Sequence, residues 1–443
     1  MADRSVGVGL IGCGTIGYGV VKLLVQQAEL YRHRLGKTLK LRRILDLRTH
    51  LDDPDGVIPM ELLTADADAF FATDDMPIVI ELAGGRGIVS QFVQRALKAG
   101  KHVVTANKAL LAAEGPKLFA MARKHGVSIG FEASCGGGIP CITALNFGLL
   151  ANQITALYGI LNGTCNYILT EMTRKGKSYA TALAEAQEAG YAEADPTLDV
   201  TGGDTAHKIA ILGSLAFGVA ATDKDVRTAG IDQLDLDDIR FAAELGYDIK
   251  LLGIAERTDA GVSLQVQPCF IWDDEQLAEV EGSFNALSVY GHAVGHTMYF
   301  GRGAGQDPTA SAVVCDVINI ASGWYPKAFA ELKLWCDQHK PVKLIDPNEM
   351  MSRYYLRFNM LDRPRTLAKV TQILGDAGIS LSGVIQHERA VGEFVPVVIT
   401  THQARYGALT SALAQIEKLD VIDGSPVAIR IVDMPTPGSA PGS

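Results

Sequence analysis

Long apolar runs and paired cysteine spacings are both absent from this sequence. No apolar run reaches the about 18 residues that a membrane-spanning helix needs, so we expect no membrane association. The seven cysteines show no CxxC spacing, which argues against a zinc site or a disulfide framework. The formal net charge of -10 disfavours a broad nucleic-acid surface. The N-terminal stretch enters an apparent strand without a signal-peptide pattern, so we expect a cytoplasmic protein.

The first part of the chain alternates predicted strands with predicted helices. An apolar run from Val6 to Ile11 ends in glycines, and helical periodicity follows from Val20 to Leu30. Further strands are predicted at residues 39–45, 78–82 and 102–105, and a helix at 88–99. Alternation of this kind is typical of parallel sheets. We therefore predict a doubly wound, Rossmann-type α/β domain over residues 1–131, completed by a returning helix within 309–345.

The remainder of the chain predicts two further domains. Residues 132–308 contain helical segments at 179–189 and 204–217 and alternating segments at 262–266 and 297–300, which indicates an α+β domain. Residues 340–348 are a predicted linker. Residues 350–433 are predicted to be ferredoxin-like, because strands at 354–360, 380–387, 394–400 and 428–432 and helices at 365–377 and 406–419 give the order βαββαβ. Residues 434–443 are a predicted flexible tail.

A GxGxxG spacing follows the first predicted strand and begins a helix. The glycines are Gly12, Gly14 and Gly17. Glycine permits a tight turn and close backbone approach, while a helix N-terminus offers N–H donors to a pyrophosphate. The strand before the motif and the helix after it favour a dinucleotide site over a ligand-free turn. The candidate contacts are Gly12, Gly14, Thr15, Ile16 and Gly17.

Three later strand ends are expected at the same crevice, because ligands of open α/β sheets bind at the carboxyl ends of strands. Asp46 favours the free 2′-hydroxyl of NAD, whereas Arg48 or Arg43 would hold the 2′-phosphate of NADP; the balance leans slightly to NADP. These residues fit a solvated strand end equally well. The other two strand ends contain Gly84 and the run from Thr105 to Lys108, of which Lys108 is a candidate because of its position.

The stretch from Glu132 to Pro140 combines a carboxylate with a run of glycines. A carboxylate and inward-turned backbone carbonyls suit a hard cation such as Na+ or K+. The same residues also fit an interdomain hinge, which spacing alone favours.

Asp204 and Lys208 lie four residues apart in a predicted helix, so they share one face of it. Most such pairs are exposed salt bridges that contribute little stability. Here the stripe continues through Ile211 and Leu215, which predicts a buried helix with the pair pointing inward. A partly desolvated lysine beside a carboxylate suits proton transfer near neutral pH, as carbonyl reduction requires. Glu193, in the preceding loop, is a candidate either for a substrate ammonium or for helix capping.

Seven segments resemble the homoserine dehydrogenase family, in the family's order and over about residues 5–345: GLIGCGTIG, ELAGG, VVTANK, FEASCGGGIP, LNGTCNYIL, AGYAEADPTLDVTGGDTAHK and GRGAGQDPTASAVVCD. The resemblance implies an NAD(P)-dependent oxidoreductase that reversibly reduces L-aspartate 4-semialdehyde to L-homoserine in threonine, methionine and isoleucine biosynthesis. No aspartate kinase region is seen, so a monofunctional enzyme is expected.

The resemblance also implies roles for individual residues. Lys208 would donate the proton when the aldehyde is reduced, and Lys108 would lie beside the substrate and the nicotinamide. Glu193 and Asp204 would bind the amino acid. Gly190 and Gly305 would lie near the cofactor. A monovalent cation, expected to be Na+, would be held by the Glu132 side chain and the backbone of Cys135, Gly137 and Ile139.

The C-terminal βαββαβ segment resembles an ACT domain, a module that pairs with copies of itself and often binds an amino-acid effector. The family's first loop usually reads D-x-P-G-x-L, whereas this chain reads Asp362-Arg-Pro-Arg365-Thr-Leu367. A bulky Arg365 would obstruct backbone contact with a ligand, so an effector site and a purely structural association module stay open. A homodimer or homotetramer is expected.

Two alternatives to this dehydrogenase are a catalytically silent sensor and a dehydrogenase for a related amino-acid aldehyde. A sensor predicts loss of Lys108, Asp204 or Lys208, and all three are present. A related dehydrogenase would keep the proton-transfer residues and change the loop around Glu193. The homoserine reaction is the interpretation that the sequence favours.

Overall fold

A computed structural model describes residues 5–48, 50–338, 342–387 and 392–435. The chain forms two compact units. The first comprises Met1–Ile154, Ala206–Val226 and Phe284–Val342, and the second comprises Thr155–Thr205, Arg227–Ser283 and Lys343–Ser443. The three domain boundaries predicted from the sequence stay predictions. Lys340 and Pro341, the first two residues of the predicted linker, and residues 436–443 of the predicted tail lie outside the described residues.

Strands and helices alternate up to β6, and longer antiparallel strands follow. The strands are β1 Ser5–Ile11, β2 Thr38–Leu45, β3 Leu63–Thr64, β4 Ile78–Glu81, β5 His102–Thr105, β6 Ile129–Gly130, β7 Ile154–Ile160, β8 Arg227–Thr228, β9 Tyr247–Thr258, β10 Gly261–Trp272, β11 Phe284–Gly291, β12 Gly295–Arg302, β13 Met351–Leu361, β14 Leu381–Gln386, β15 Phe394–Thr401, β16 Ala404–Arg405 and β17 Ile422–Ile431.

The helices range from single turns to helices of 17 residues. They are α1 Thr15–Gln26, α2 Ala28–Leu35, α3 Ala67–Phe71, α4 Gly87–Lys98, α5 Lys108–Lys124, α6 Cys141–Thr143, α7 Gly163–Lys175, α8 Tyr179–Glu188, α9 Thr197–Val200, α10 Gly203–Phe217, α11 Leu236–Glu244, α12 Gln306–Ser322, α13 Trp324–Glu331, α14 Thr366–Asp376 and α15 Tyr406–Ile416. A π-helical segment, Ala144–Gly148, follows α6. Among the described residues, no helix combines the length and the hydrophobicity required to cross a membrane.

The first unit is built on a parallel sheet with the strand order β3-β2-β1-β4-β5-β6. Every residue of β4 is buried, because helices cover both faces of such a sheet. The predicted doubly wound fold is thereby confirmed. Helix α12 packs closely on α1, since a Cβ atom at Gly19 would lie 3.0 Å from the Cβ of Ala310.

The first helix differs from its predicted bounds. It begins at Thr15, directly after Gly14, and ends at Gln26. Apolar periodicity starts only at Val20, because the first helical turns contain Gly17, which packs against the preceding turn, and Gly19, which packs against α12. Gln27 has φ −108° and ψ 15°, which interrupts the helix before α2.

The longer strands of the second unit follow the order β7-β9-β10-β17-β13-β15-β14, and the two-residue strands β8 and β16 pair with β10 and β13. Strands β9 and β10 pair antiparallel along their whole length. The C-terminal elements β13, α14, β14, β15, α15 and β17 confirm the predicted βαββαβ order, although β17 begins at Ile422, six residues before the predicted start. Strand β17 joins β10 in parallel through the pairs Cys269–Arg430 and Phe270–Ile431.

Buried ion pairs join the C-terminal segment to the rest of the second unit. The Asp238 carboxylate in α11 is 0% exposed. It accepts hydrogen bonds from Arg357 Nε at 2.6 Å, Arg357 Nη2 at 2.9 Å and the Tyr355 hydroxyl at 3.0 Å. In a second buried ion pair, Arg430 Nη2 donates to both carboxylate oxygens of Glu256, each at 3.0 Å. These networks add directional contacts to the apolar core.

We expect Asp238→Ala to destabilise the second unit strongly. The change leaves Arg357 and the Tyr355 hydroxyl without their buried acceptor, and breaking a buried pair costs about 3–5 kcal/mol. Urea unfolding should show a lower midpoint. The control is Arg240→Ala, which removes a pair with Asp237 whose side chains are 73% and 36% exposed, and it should cost under about 1 kcal/mol. Equal midpoints for the two variants would contradict the prediction.

Candidate active site

The turn after β1 is shaped for close backbone approach. Gly12 has φ +85°, and a Cβ atom there would lie 2.6 Å from the Ala83 nitrogen. A Cβ atom at Gly17 would lie 2.3 Å from the Gly12 carbonyl oxygen. Gly14 is the N-cap of α1 and faces open space, and residues 15 and 16 follow in the first helical turn. Free N–H groups at this helix start fit the pyrophosphate of a dinucleotide.

Asp46 and Arg48 pair with each other beyond the end of β2. The Asp46 carboxylate accepts hydrogen bonds from Arg48 Nε at 2.9 Å, Arg48 Nη2 at 2.8 Å and the Cys13 backbone N–H at 2.8 Å. The hydrogen bond from Arg48 holds the pKa of Asp46 well below its usual range. The Arg48 side chain is 53% exposed, whereas that of Asp46 is 10% exposed. Arg48 is therefore free to move towards a ligand while Asp46 stays in the turn.

Glu81 and Asn107 organise the next two strand ends, and the sequence analysis assigned no role to either. The buried Glu81 carboxylate accepts from the Gly84 N–H at 2.9 Å and the Thr105 hydroxyl at 2.7 Å. Asn107 donates to the Gly85 carbonyl at 2.6 Å. Burial raises the pKa of Glu81, and these hydrogen bonds oppose the rise. The sequence offered two signals for them. Glu81 is an acid at the end of β4, and Asn107 is the N-cap of the helix that follows β5.

The buried thiol of Cys135 lies beside the backbone of Lys208. Lys108 begins α5, and Lys208 in α10 is 8% exposed. The Cys135 thiol lies 3.8 Å from the Lys208 carbonyl oxygen, to which it donates. Burial raises the pKa of Cys135 to about 12, and the charges of Lys208 and Lys108 oppose the rise. The positive charges of Lys108 and Lys208 thus both favour the ionised form of the same buried thiol.

Glu132 was predicted to belong either to a cation site or to a hinge. Its carboxylate accepts from the Ile142 N–H at 2.8 Å and from the Thr143 N–H and hydroxyl at 2.8 and 2.5 Å. A carboxylate offers about four acceptor positions, so these three donors leave room for a cation contact. Among the described residues, no group of three or more His, Cys, Asp or Glu side chains forms a metal cluster. The oxygen-rich surroundings suit a monovalent ion better than a transition metal.

The glycine loop after Glu132 lies against the segment that precedes α12. A Cβ atom at Gly137 would lie 2.4 Å from the Gly303 carbonyl oxygen, so only glycine fits. The Gly138 N–H donates to the Arg302 carbonyl at 3.1 Å. Gly305 is the N-cap of α12. The structure thus brings the predicted cation loop beside a predicted cofactor residue within the first unit.

The second unit contains the loop of Gly190 and Glu193, between α8 and α9. The Glu193 side chain is exposed, while its carbonyl accepts a hydrogen bond from Gln187 Nε2 at 3.1 Å. The Thr164 hydroxyl donates to the Tyr191 carbonyl at 2.6 Å and so fixes the loop between its two predicted site residues. The Glu193 carboxylate has the exposure that an incoming ligand requires.

Asp204 lies in the first turn of α10, one turn before Lys208, and is 5% exposed. Its carboxylate accepts a hydrogen bond from Asn162 Nδ2 at 2.9 Å. Sequence reasoning included Asn162 in a family segment but gave it no role. The signal was an asparagine placed to cap a helix directly after a buried strand.

Three family models match the chain: homoserine dehydrogenase at residues 140–318, homoserine dehydrogenase NAD binding domain at 12–132, and ACT domain at 354–418. A homoserine dehydrogenase of Pseudomonas aeruginosa is 40% identical over 432 residues, 97% of this chain and 99% of that protein. A homoserine dehydrogenase of Bacillus subtilis is 36% identical over 422 residues, which is 95% of this chain and 96% of that protein.

The fold agrees with these sequence relationships. The crystal structure of a homoserine dehydrogenase from Thiobacillus denitrificans superposes with a TM-score of 0.91 and 40% identity, covering 97% of this chain and 99% of that one. The matches extend from the glycine turn to the C-terminal ACT domain. The chain therefore belongs to the homoserine dehydrogenase family of nicotinamide-dependent oxidoreductases.

Proposed function

We propose that Lys208 carries the proton transfer of the homoserine dehydrogenase reaction. This reaction is the reversible, NAD(P)-dependent reduction of L-aspartate 4-semialdehyde to L-homoserine, a step of amino-acid biosynthesis. The observation that supports the assignment is a lysine side chain only 8% exposed, one helical turn after the buried Asp204. Threonine, methionine and isoleucine are the proposed end products, and the cytoplasm is the proposed location.

A nicotinamide coenzyme, when bound, supplies the hydride that reaches the aldehyde carbon. Lys208 donates a proton to the carbonyl oxygen as negative charge grows there, and the neutral amine takes the proton back when homoserine is oxidised. Burial of Lys208 keeps bulk water from competing for that proton. The charge of Lys108 stabilises the same developing oxyanion.

Asp204 and Glu193 bind the ammonium group of the amino acid in this proposal. Asp204 is held by Asn162, and the Glu193 loop is held by Thr164 and Gln187. One acid is thus fixed and buried, whereas the other is exposed. A buried acid sets the orientation of the substrate, and an exposed acid reaches it as it enters.

The coenzyme contacts are proposed at the glycine turn and at the strand ends around it, with a slight preference for NADP. A 2′-phosphate would draw the exposed Arg48 away from Asp46, while the 2′-hydroxyl of NAD would donate to Asp46 itself. Either coenzyme therefore has a partner. The set comprises Gly12, Gly14, Thr15, Ile16, Gly17, Arg48, Gly84, Thr105, Lys108, Gly190 and Gly305.

A monovalent cation, Na+ in the first instance, is proposed at the glycine loop. Glu132 would supply its remaining acceptor position, and the backbone carbonyls of Cys135, Gly137 and Ile139 would complete the oxygen set. This loop leads to Cys135, whose thiol bonds to the Lys208 carbonyl. The ion would therefore stiffen the surroundings of Lys208.

The ACT domain is proposed to join copies of the chain into a homodimer or homotetramer. Arg365 adopts φ +76° at the position where the family has glycine, so the loop keeps its backbone shape but has gained a long side chain. The added side chain counts against tight amino-acid binding at this loop. An effector such as threonine is the second proposed role.

Lys208→Ala should lower kcat by about 100- to 10,000-fold, the usual contribution of general acid–base catalysis. The coenzyme dissociation constant should change little, because Lys208 has no role in the glycine turn. Steady-state oxidation of L-homoserine and coenzyme fluorescence titration measure the two effects. Lys98→Ala, an exposed lysine at the end of α4, is the control. Turnover in Lys208→Ala equal to that of the control would remove Lys208 from the mechanism.

Arg48→Ala should raise the KM for NADP by about 10-fold or more, since a charged hydrogen bond contributes about 1.5–3 kcal/mol. The KM for NAD should stay near its original value. Arg43→Ala is the comparison variant, because Arg43 lies in β2 of the same strand-end region and is the other arginine predicted for the 2′-phosphate. An NADP effect confined to Arg43→Ala would assign the phosphate to the other arginine, and no effect in either variant would exclude both.

Replacing Na+ and K+ by choline at constant ionic strength should lower the activity about 10-fold or more, the range expected when a metal site is weakened. Adding back Na+ should restore it along a saturation curve. Homoserine oxidation at fixed coenzyme concentration measures the effect. Activity that is the same in choline, Na+ and K+ would rule out a functional cation at the glycine loop.

A further inference from the structure

The side-chain amide of Asn162 lies between two carboxylates of the second unit. Its Nδ2 donates to Asp199 Oδ1 at 2.8 Å and to Asp204 Oδ2 at 2.9 Å. Asn162 and Asp204 are each 5% exposed. An amide nitrogen carries two donors, so both of its N–H groups are used on acids.

The orientation of this amide is set by helix α7. Asn162 is the N-cap of that helix, and its Oδ1 accepts the Cys165 backbone N–H at 2.8 Å. Reversing the amide would place Oδ1 against two carboxylates and the NH2 group against the Cys165 N–H. Both contacts would then be repulsive, so the helix start directs the two donors towards the acids.

A neutral donor has an effect on these acids that a cation would not have. Burial and the neighbouring negative charge both disfavour ionised Asp204, whereas donated hydrogen bonds favour it. Lysine or arginine at position 162 would supply donors but cancel the negative charge. Asparagine donates a hydrogen bond to each carboxylate and adds no positive charge of its own.

We propose that Asn162 is a positioning residue for the amino-acid substrate. It orients the Asp204 carboxylate, with Asp199 as the second anchor, so that the pair presents its negative charge to the substrate ammonium. The inference rests on the proposed function, which assigns Asp204 to that ammonium. The same helix start also holds the Glu193 loop, because the Thr164 hydroxyl donates to the Tyr191 carbonyl. Helix α7 thereby aligns both acids that receive the amino acid.

A purely structural role as a helix cap makes a different prediction. Asparagine, aspartate and serine cap helices about equally well. Asn162→Asp and Asn162→Ser therefore keep the acceptor for Cys165. Aspartate has no donor, and serine has one O–H on a shorter side chain in place of the two N–H groups. The aspartate variant also adds a third negative group next to Asp199 and Asp204. A residue that served only as a cap would lose stability in the aspartate variant without a change in KM, and it would tolerate serine.

The test is the KM for L-homoserine in Asn162→Ser and Asn162→Asp. We expect KM to rise about 10- to 100-fold in the serine variant, the range for loss of hydrogen bonds to a charged group. The rise should be larger in the aspartate variant, while the coenzyme dissociation constant stays unchanged. Titration calorimetry of homoserine into enzyme saturated with the reduced coenzyme, a combination that cannot react, should give the same order of affinities.

Asn166→Ser is the matched control on the same helix. Asn166 is also buried, but its amide donates to carbonyl oxygens, those of Val280 at 3.0 Å and Gly282 at 2.9 Å. This variant should lower the melting temperature without changing KM. Asn162 variants with a lower melting temperature and an unchanged KM would overturn the proposal.

The outcomes also separate this inference from the proposed function. Full turnover in Lys208→Ala would refute the proton assignment, and the homoserine affinities of the Asn162 variants would still decide the role of Asn162. Wild-type affinity in both Asn162 variants refutes positioning even where Lys208 proves essential.

Discussion

Buried carboxylates require hydrogen-bond donors from the protein, since water is excluded from them. Glu81, Glu132 and Asp204 are 0%, 6% and 5% exposed. Glu81 takes donors from the loops after β4 and β5, Glu132 from the start of α6, and Asp204 from the cap of α7. Each acid therefore joins segments that are distant in sequence. The positions of the site loops depend on satisfying these three charges.

Asp46 and Asp204 have different kinds of hydrogen-bond donor, a charged guanidinium and a neutral amide. Asp46 is neutralised by Arg48, so its carboxylate is partnered until a ligand attracts the guanidinium. Asp204 accepts a hydrogen bond from the uncharged amide of Asn162, which adds no positive charge. The first arrangement suits a choice between two coenzymes, because the arginine can change partners. The second holds the carboxylate in one orientation, because the amide is itself fixed as the cap of α7.

The sequence predicted the fold well because its signals are local. The strands β1, β4 and β5 are short apolar runs, and the glycine spacing after β1 has one structural explanation in that setting. Helix ends were less accurate, since α1 begins in a glycine-containing turn with little apolar periodicity. The partners of Asn162 could not be read from the sequence, because Asp199 and Asp204 lie 37 and 42 residues away. The apolar stripe beyond Lys208 gave a local signal for burial, and the lysine is 8% exposed.

Arg365 illustrates how a fold can keep a backbone shape after losing the residue that suits it. A non-glycine residue in the left-handed region costs about 1–2 kcal/mol. The loop holds this shape because backbone bonds join Asp362 to Glu393 at 2.8 Å and Gly392 to Asp362 at 3.0 Å. Helix α14 also begins directly after Arg365. The surrounding contacts thus determine the conformation, while the side chain determines what can approach it. Glycine would leave the backbone open at this position, whereas arginine adds a long side chain to the same backbone conformation.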